Sequence, residues 1–202
     1  MRKFARACLI PIAATLASGP ISARNAEIPN SARVEMIDAL ASSGPHQSLG
    51  LAATVFDRLV GTWDLICDRY AADNTHTRSA GVWHFGWIVD GRMVQDVIYF
   101  FPEGRPADRV GGTTLRMYDT QRHQWRVTFF RPSRNAIISL VGGPVGSRIV
   151  LLGTDTDGSP LRWSFNDIAS NSFSWLGEIS ADGGKTWRVE QKMHLTRRSS
   201  QS

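Results

Sequence analysis

The sequence predicts an all-β protein: an antiparallel up-and-down barrel of about ten strands with a short N-terminal helical segment. Three observations predict it. From Gly61 onward, short runs alternate apolar and polar residues, which is the period of a strand with one buried face. The runs are separated by turn pairs such as Asp90-Gly91, Asp157-Gly158 and Gly183-Gly184, of which Asp90-Gly91 is the strongest hairpin signal, because both central residues of such a turn take positive φ. All seven tryptophans fall in this region. Strands apolar on one face must close or stack to bury it, and a closed sheet of this size can hold one small ligand. Almost no helix separates the runs, which excludes parallel α/β architectures and their long crossovers.

The elements follow in order. Residues 1–26 open on Arg2, Lys3 and Arg6 and continue through an apolar run from Ala7 to Ala17, the pattern of a signal peptide, too short and interrupted for a membrane span. Cleavage after Ala17 or Ala23 would direct the protein to the periplasm or outside the cell. The competing reading starts the protein at Met36 and leaves it cytoplasmic. Residues 27–50 are small and polar and read as a linker or lid, with Ile37 to Ser42 as its helical stretch. From Ser48 to Val60, apolar residues at helical spacing predict a short helix leading into the barrel. A single barrel domain then spans 51–198. Its strands are expected near 62–69, 78–89, 92–101, 112–118, 124–130, 136–141, 148–152, 161–166, 172–179 and 186–195.

Composition limits the partners. Of the 202 residues 42% are hydrophobic and 20% charged, which is ordinary for a globular domain. The net charge is +5, but residues 1–35 carry +3 of it, leaving no basic stripe for nucleic acid. Cys8 and Cys67 form neither a disulfide framework nor a metal-type spacing. No phosphate-binding glycine loop or nucleophile elbow appears. No metal or cofactor is therefore expected.

Gly61-Thr62-Trp63 after a short helix resembles the opening strand of the calycin barrels, the lipocalins and fatty-acid-binding proteins. That resemblance implies that Trp63 plugs the closed end beneath a basic side chain from the C-terminal part of the chain, Arg197 or Arg198. A looser resemblance over roughly residues 36–197 rests on Trp83-His84-Phe85-Gly86-Trp87, Gly91-Arg92-Met93-Val94-Gln95-Asp96-Val97 and Asp182-Gly183-Gly184-Lys185-Thr186-Trp187. It points to an uncharacterised bacterial calycin-like family and implies fold without activity. His194 lies where haem barrels of the nitrobindin type place their proximal histidine. Here Trp63 is followed by Asp64-Leu65-Ile66 rather than a glycine run, and a core role for Met193 and Leu195 would turn His194 to solvent.

Ser180 to Trp187 fits the Asp-box pattern of sialidase propellers. One copy builds no propeller, so the pattern reads as a hairpin whose aspartate accepts turn N–H groups. The side chains suited to chemistry concentrate between Val82 and Phe101. Either face of the two strands there could point inward, since both mix apolar and polar groups. One reading gathers His84, Asp96 and Glu178 as a proton-transfer set, with Trp87, Gln95, Arg116, Trp125, Trp163 and Trp175 around a ligand. The other makes the polar groups cross-strand partners on a solvated face and the tryptophans core. Gly177 beside Trp175 leaves space that a ligand or another side chain must fill.

Three functions remain in play. The first is binding of a small apolar or aromatic molecule in the barrel cavity. The alternative is a cofactor-independent lyase, isomerase or cyclase on a small aromatic or polyketide-like substrate, using a His/carboxylate acid-base pair. The third is a structural or interaction protein with a filled interior. The expected partner is a small molecule, without nucleic acid or a membrane span, and a homodimer stays open.

Overall fold

The computed structural model describes residues 30–73, 75–102, 104 and 106–199, so the predicted signal segment lies outside the described residues. Ten strands run β1 Gly61–Tyr70, β2 His76–Ile88, β3 Met93–Phe101, β4 Val110–Asp119, β5 Gln124–Arg131, β6 Ala136–Val145, β7 Arg148–Thr154, β8 Pro160–Asn166, β9 Ser172–Ile179 and β10 Arg188–Arg197. Each pairs antiparallel with the next, and β10 returns to β1 with Trp63 opposite Arg197, closing the barrel. Closure leaves no sheet edge unpaired. The last strand begins at Arg188 rather than Thr186 because the Asp-box turn still holds Thr186. There Asp182 accepts from Lys185 N, Thr186 N and Thr186 Oγ1 at 3.0, 2.8 and 2.7 Å. Those bonds draw its pKa down to about 2.

Period-two alternation sets the inner face. Trp63, Leu65 and Cys67 of β1 point inward, as do Trp83, Phe85 and Trp87 of β2, and Val94, Asp96, Ile98 and Phe100 of β3, all buried. The turn between β2 and β3 is longer than the expected pair. Val89, Asp90 and Gly91 all take positive φ, and pairing resumes at Ile88 with Met93. Gly91 is needed there, since a Cβ would collide with the crossing backbone of Gly44 and His46.

Upstream of the barrel, α1 spans Asn30–Leu40, so the helix lies earlier than the Ile37–Ser42 stretch predicted, and Ser42 instead bridges to Trp87. The predicted helix over Ser48–Val60 is divided. A 3-10 segment Gln47–Ala53 breaks at Gly50 (φ 50°, ψ −133°), and α2 spans only Thr54–Asp57. Among the described residues no helix is long and apolar enough to cross a membrane.

This segment plugs one end of the barrel. Phe56 and Leu59 are wholly buried. Phe56 meets Trp125 edge-on at 4.9 Å and Phe165 at 6.1 Å. Trp63 donates from Nε1 to Leu59 O at 2.8 Å, and Trp87 from Nε1 to Asp57 at 2.8 Å. Arg197 lies 4.0 Å over the Trp63 ring, while its guanidinium donates to Val60 O, Arg58 O and Ser170 O at 2.7, 2.9 and 2.7 Å. A desolvated cation over an indole contributes about 0.5–2 kcal/mol, and here it also ties β10 to the plug. Arg198 does not share the role; it pairs with Asp64 on the outer wall.

Candidate functional site

The opposite end holds a cavity of about 280 Å3. Its walls are aromatic. Trp163 meets Trp175 at 5.5 Å and Phe129 at 5.6 Å, and Trp83 meets Trp175 at 6.4 Å. Two inward glycines make this packing possible. A Cβ on Gly177 would sit 2.7 Å from the Trp175 ring, and one on Gly112 would sit 2.5 Å from the Phe129 ring, so each ring packs directly against bare backbone. The gap at Gly177 is thus filled by the ring of Trp175 itself.

At the inner end of the cavity stands Arg116 of β4, with Asp96 of β3 behind it. Arg116 Nη2 lies 2.5 Å from Asp96 Oδ2, and the side chains are 1% and 0% exposed. Phe56 and Phe85 flank the guanidinium at 5.1 and 5.2 Å. The contact is an ion pair without hydrogen-bond angles: Arg116 Nε and Nη1 and both Asp96 oxygens have no hydrogen-bond partner, nor do Trp83 Nε1 and Trp175 Nε1. Among the fully buried atoms of the residues that line the cavity, those without a hydrogen-bond partner, on Arg116, Trp83 and Trp175, are therefore donors. An acceptor oxygen on a ligand is the complementary chemistry.

The mouth carries charge. Arg69 from β1, Arg131 from β5, Arg134 from the 3-10 turn Pro132–Arg134, and the acids Asp155 and Glu190 all border the cavity. Glu190 reaches it through a β-bulge. Val189 pairs with Glu178 and Gln191 with Gly177, which leaves Glu190 as the extra residue. Burial first, and Asp155 second, push its carboxyl above the usual range. Burial first, then Arg134 and Arg69, hold the Arg131 guanidinium below its usual value. Among the described residues no group of three or more His, Cys, Asp or Glu is placed to hold a metal.

The structure separates the residues expected to move protons. Asp96 points inward opposite Phe85, whereas His84, the neighbour of Phe85, points outward and shares a 3.1 Å hydrogen bond with Thr62 Oγ1. Partial burial, with Arg198 nearby, holds the His84 imidazole below its usual pKa. Glu178 is also on the outer wall, bidentate to Arg162 at 2.7 Å in both contacts, with Trp187 stacked on that arginine at 4.5 Å. His84, Asp96 and Glu178 are therefore not brought together: the sheet divides Asp96 from the other two, and His84 on β2 and Glu178 on β9 stand on strands that are not neighbours in the barrel.

The expected ligand-binding residues also divide. Arg116, Trp163 and Trp175 line the cavity. Trp87 and Trp125 face inward but pack at the plugged end, against Asp57 and Phe56. Gln95 faces outward and donates to Thr113 Oγ1 at 3.0 Å. His194 likewise lies exposed on the outer wall between inward Met193 and Leu195. Sequence reasoning missed Trp83, Phe129, Arg131 and Glu190. The first two were legible as inward aromatics once a face was chosen, but no period-two pattern announces the bulge at Glu190.

No protein-family model matches the chain, and neither does any curated protein. Solved structures do. Rv2717c from M. tuberculosis superposes with a TM-score of 0.56 at 15% identity, over 73% of this chain and 98% of that one. The S-type phycobiliprotein lyase CPES from Guillardia theta gives 0.52 at 11% identity, over 72% and 91%. At these identities the likeness is one of fold, a ten-strand antiparallel barrel of calycin-like type.

Proposed function

We propose that the protein binds a small, largely apolar or aromatic molecule inside its barrel. The observation that carries this reading is the cavity of about 280 Å3, walled by Trp83, Trp163, Trp175 and Phe129 and closed behind by the Phe56 plug. Its size lies just below the range of about 300–1,000 Å3 for small-molecule sites, which favours a compact guest. The unpartnered donors at Arg116, Trp83 and Trp175 supply the few polar contacts that orient such a guest. A proton-transfer role for His84 lacks comparable support, since its ring stands outside the barrel wall.

Native mass spectrometry of protein purified from its own host tests the reading. The expected result is a retained organic molecule that heat or solvent releases. A bare polypeptide mass, together with tryptophan emission unmoved by a panel of small aromatic and acyl compounds, overturns it.

A further inference from the structure

We infer that the guest is an amphipathic organic anion, whose carboxylate is held at the cavity mouth by Arg69, Arg131 and Arg134 while its apolar body lies against the tryptophans. This rests on the binding reading above and adds the chemical class of the ligand. The three arginines reach one place from separate parts of the chain: the C-terminal end of β1, the last residue of β5, and the 3-10 turn after it. None of them forms an ion pair or a side-chain hydrogen bond among the described residues. Arg69 instead lies 4.2 Å over the Phe100 ring. Arg131 is half-buried, so its charge is kept partly from water with two like charges near it. An arrangement of this kind is relieved by an anion, and a carboxylate matches the planar guanidinium fork in a bidentate way.

The two acids at the mouth do not discharge the cluster. Asp155 Oδ1 already accepts from Thr156 N at 2.7 Å in its own turn, and Glu190 acts on Arg69 and Arg134 only through space, forming no ion pair at contact distance among the described residues. Even with both ionised, three cations face two anions. Inward of the arginines the lining turns aromatic, so a single molecule with a charged head and a flat apolar body spans both zones.

The test compares 2-naphthoate with its neutral isostere 2-naphthamide, by quenching of the cavity tryptophans, in the full protein and in Arg131→Met and Arg134→Met. Arg131→Met keeps the apolar stem, and Arg134 is exposed, so at least one variant keeps the fold. We expect naphthoate to bind about tenfold or more tighter than the amide, as a hydrogen bond to a charged partner warrants. That preference should shrink in both variants while amide affinity holds, and should weaken with salt. Equal binding of the two probes overturns this inference alone. So does a preference that survives in both variants, because it would move the head group to Arg116. Binding of neither probe overturns the cavity reading along with it.

Discussion

Replacing Phe56 with alanine tests whether the α2 plug is what closes the barrel. Phe56 is wholly buried. Its ring meets Trp125 and Phe165 edge-on and presents a face to the Arg116 guanidinium. Truncating a buried phenylalanine costs about 3–5 kcal/mol, from lost transfer energy and the void left behind. The upper half of that range is expected, since two edge-on ring contacts and a cation–π contact vanish together. For a chain of this size, each kcal/mol moves the melting midpoint by about 2–4 °C, so the fall should be about 8–20 °C. Urea denaturation followed by tryptophan fluorescence gives the free energy directly, with an unchanged m-value showing that the unfolded reference has not moved. A loss below about 1 kcal/mol, typical of a surface site, would mean that the segment merely rests on the barrel. The cavity behind Arg116 would then not need it as a floor.

Two further outcomes follow from the charged groups inside. Asp96→Ala leaves the Arg116 guanidinium, 1% exposed, without its counter-charge, and the expected cost is about 3–5 kcal/mol; in the double variant Asp96→Ala/Arg116→Leu much of that loss should return, and a strictly additive cycle would show the pair is not coupled. Glu190 titrates above the ordinary 4.5, so the folded state holds its proton more tightly than the unfolded chain does. Its contribution is therefore full below pH 4.5 and is lost as pH rises through the raised folded value. Asp155, Arg188, Arg69 and Arg134 all act on this carboxyl. Relative to wild type, Glu190→Gln should gain thermal stability as pH rises above 4.5, and a difference that stays constant with pH would sink the assignment.

Much of the fold was legible because its signals are local. Alternation along β4, β5 or β9 needs only the residues of that strand, and the calycin-like opening Gly61-Thr62-Trp63 pointed to a clasp on Trp63 by Arg197 or Arg198, of which the structure uses Arg197. The candidate site was less legible. On β2 and β3 both faces carry apolar and polar groups, so His84 and Asp96 could not be sorted until the barrel closed. Once Trp83, Phe85 and Trp87 turned inward, His84 had to turn outward, and the proposed proton-transfer set came apart.

The amino-acid sequence by itself determined that this chain makes ten antiparallel strands with a helical lead-in, since period-two patterning and turn chemistry act over a few residues. Only the tertiary structure decided what faces the cavity. Curvature, closure and the extra residue at Glu190 depend on pairings between distant strands. The meeting of Arg69, Arg131 and Arg134 at one mouth is a product of that closure, and no spacing along the chain foretells it.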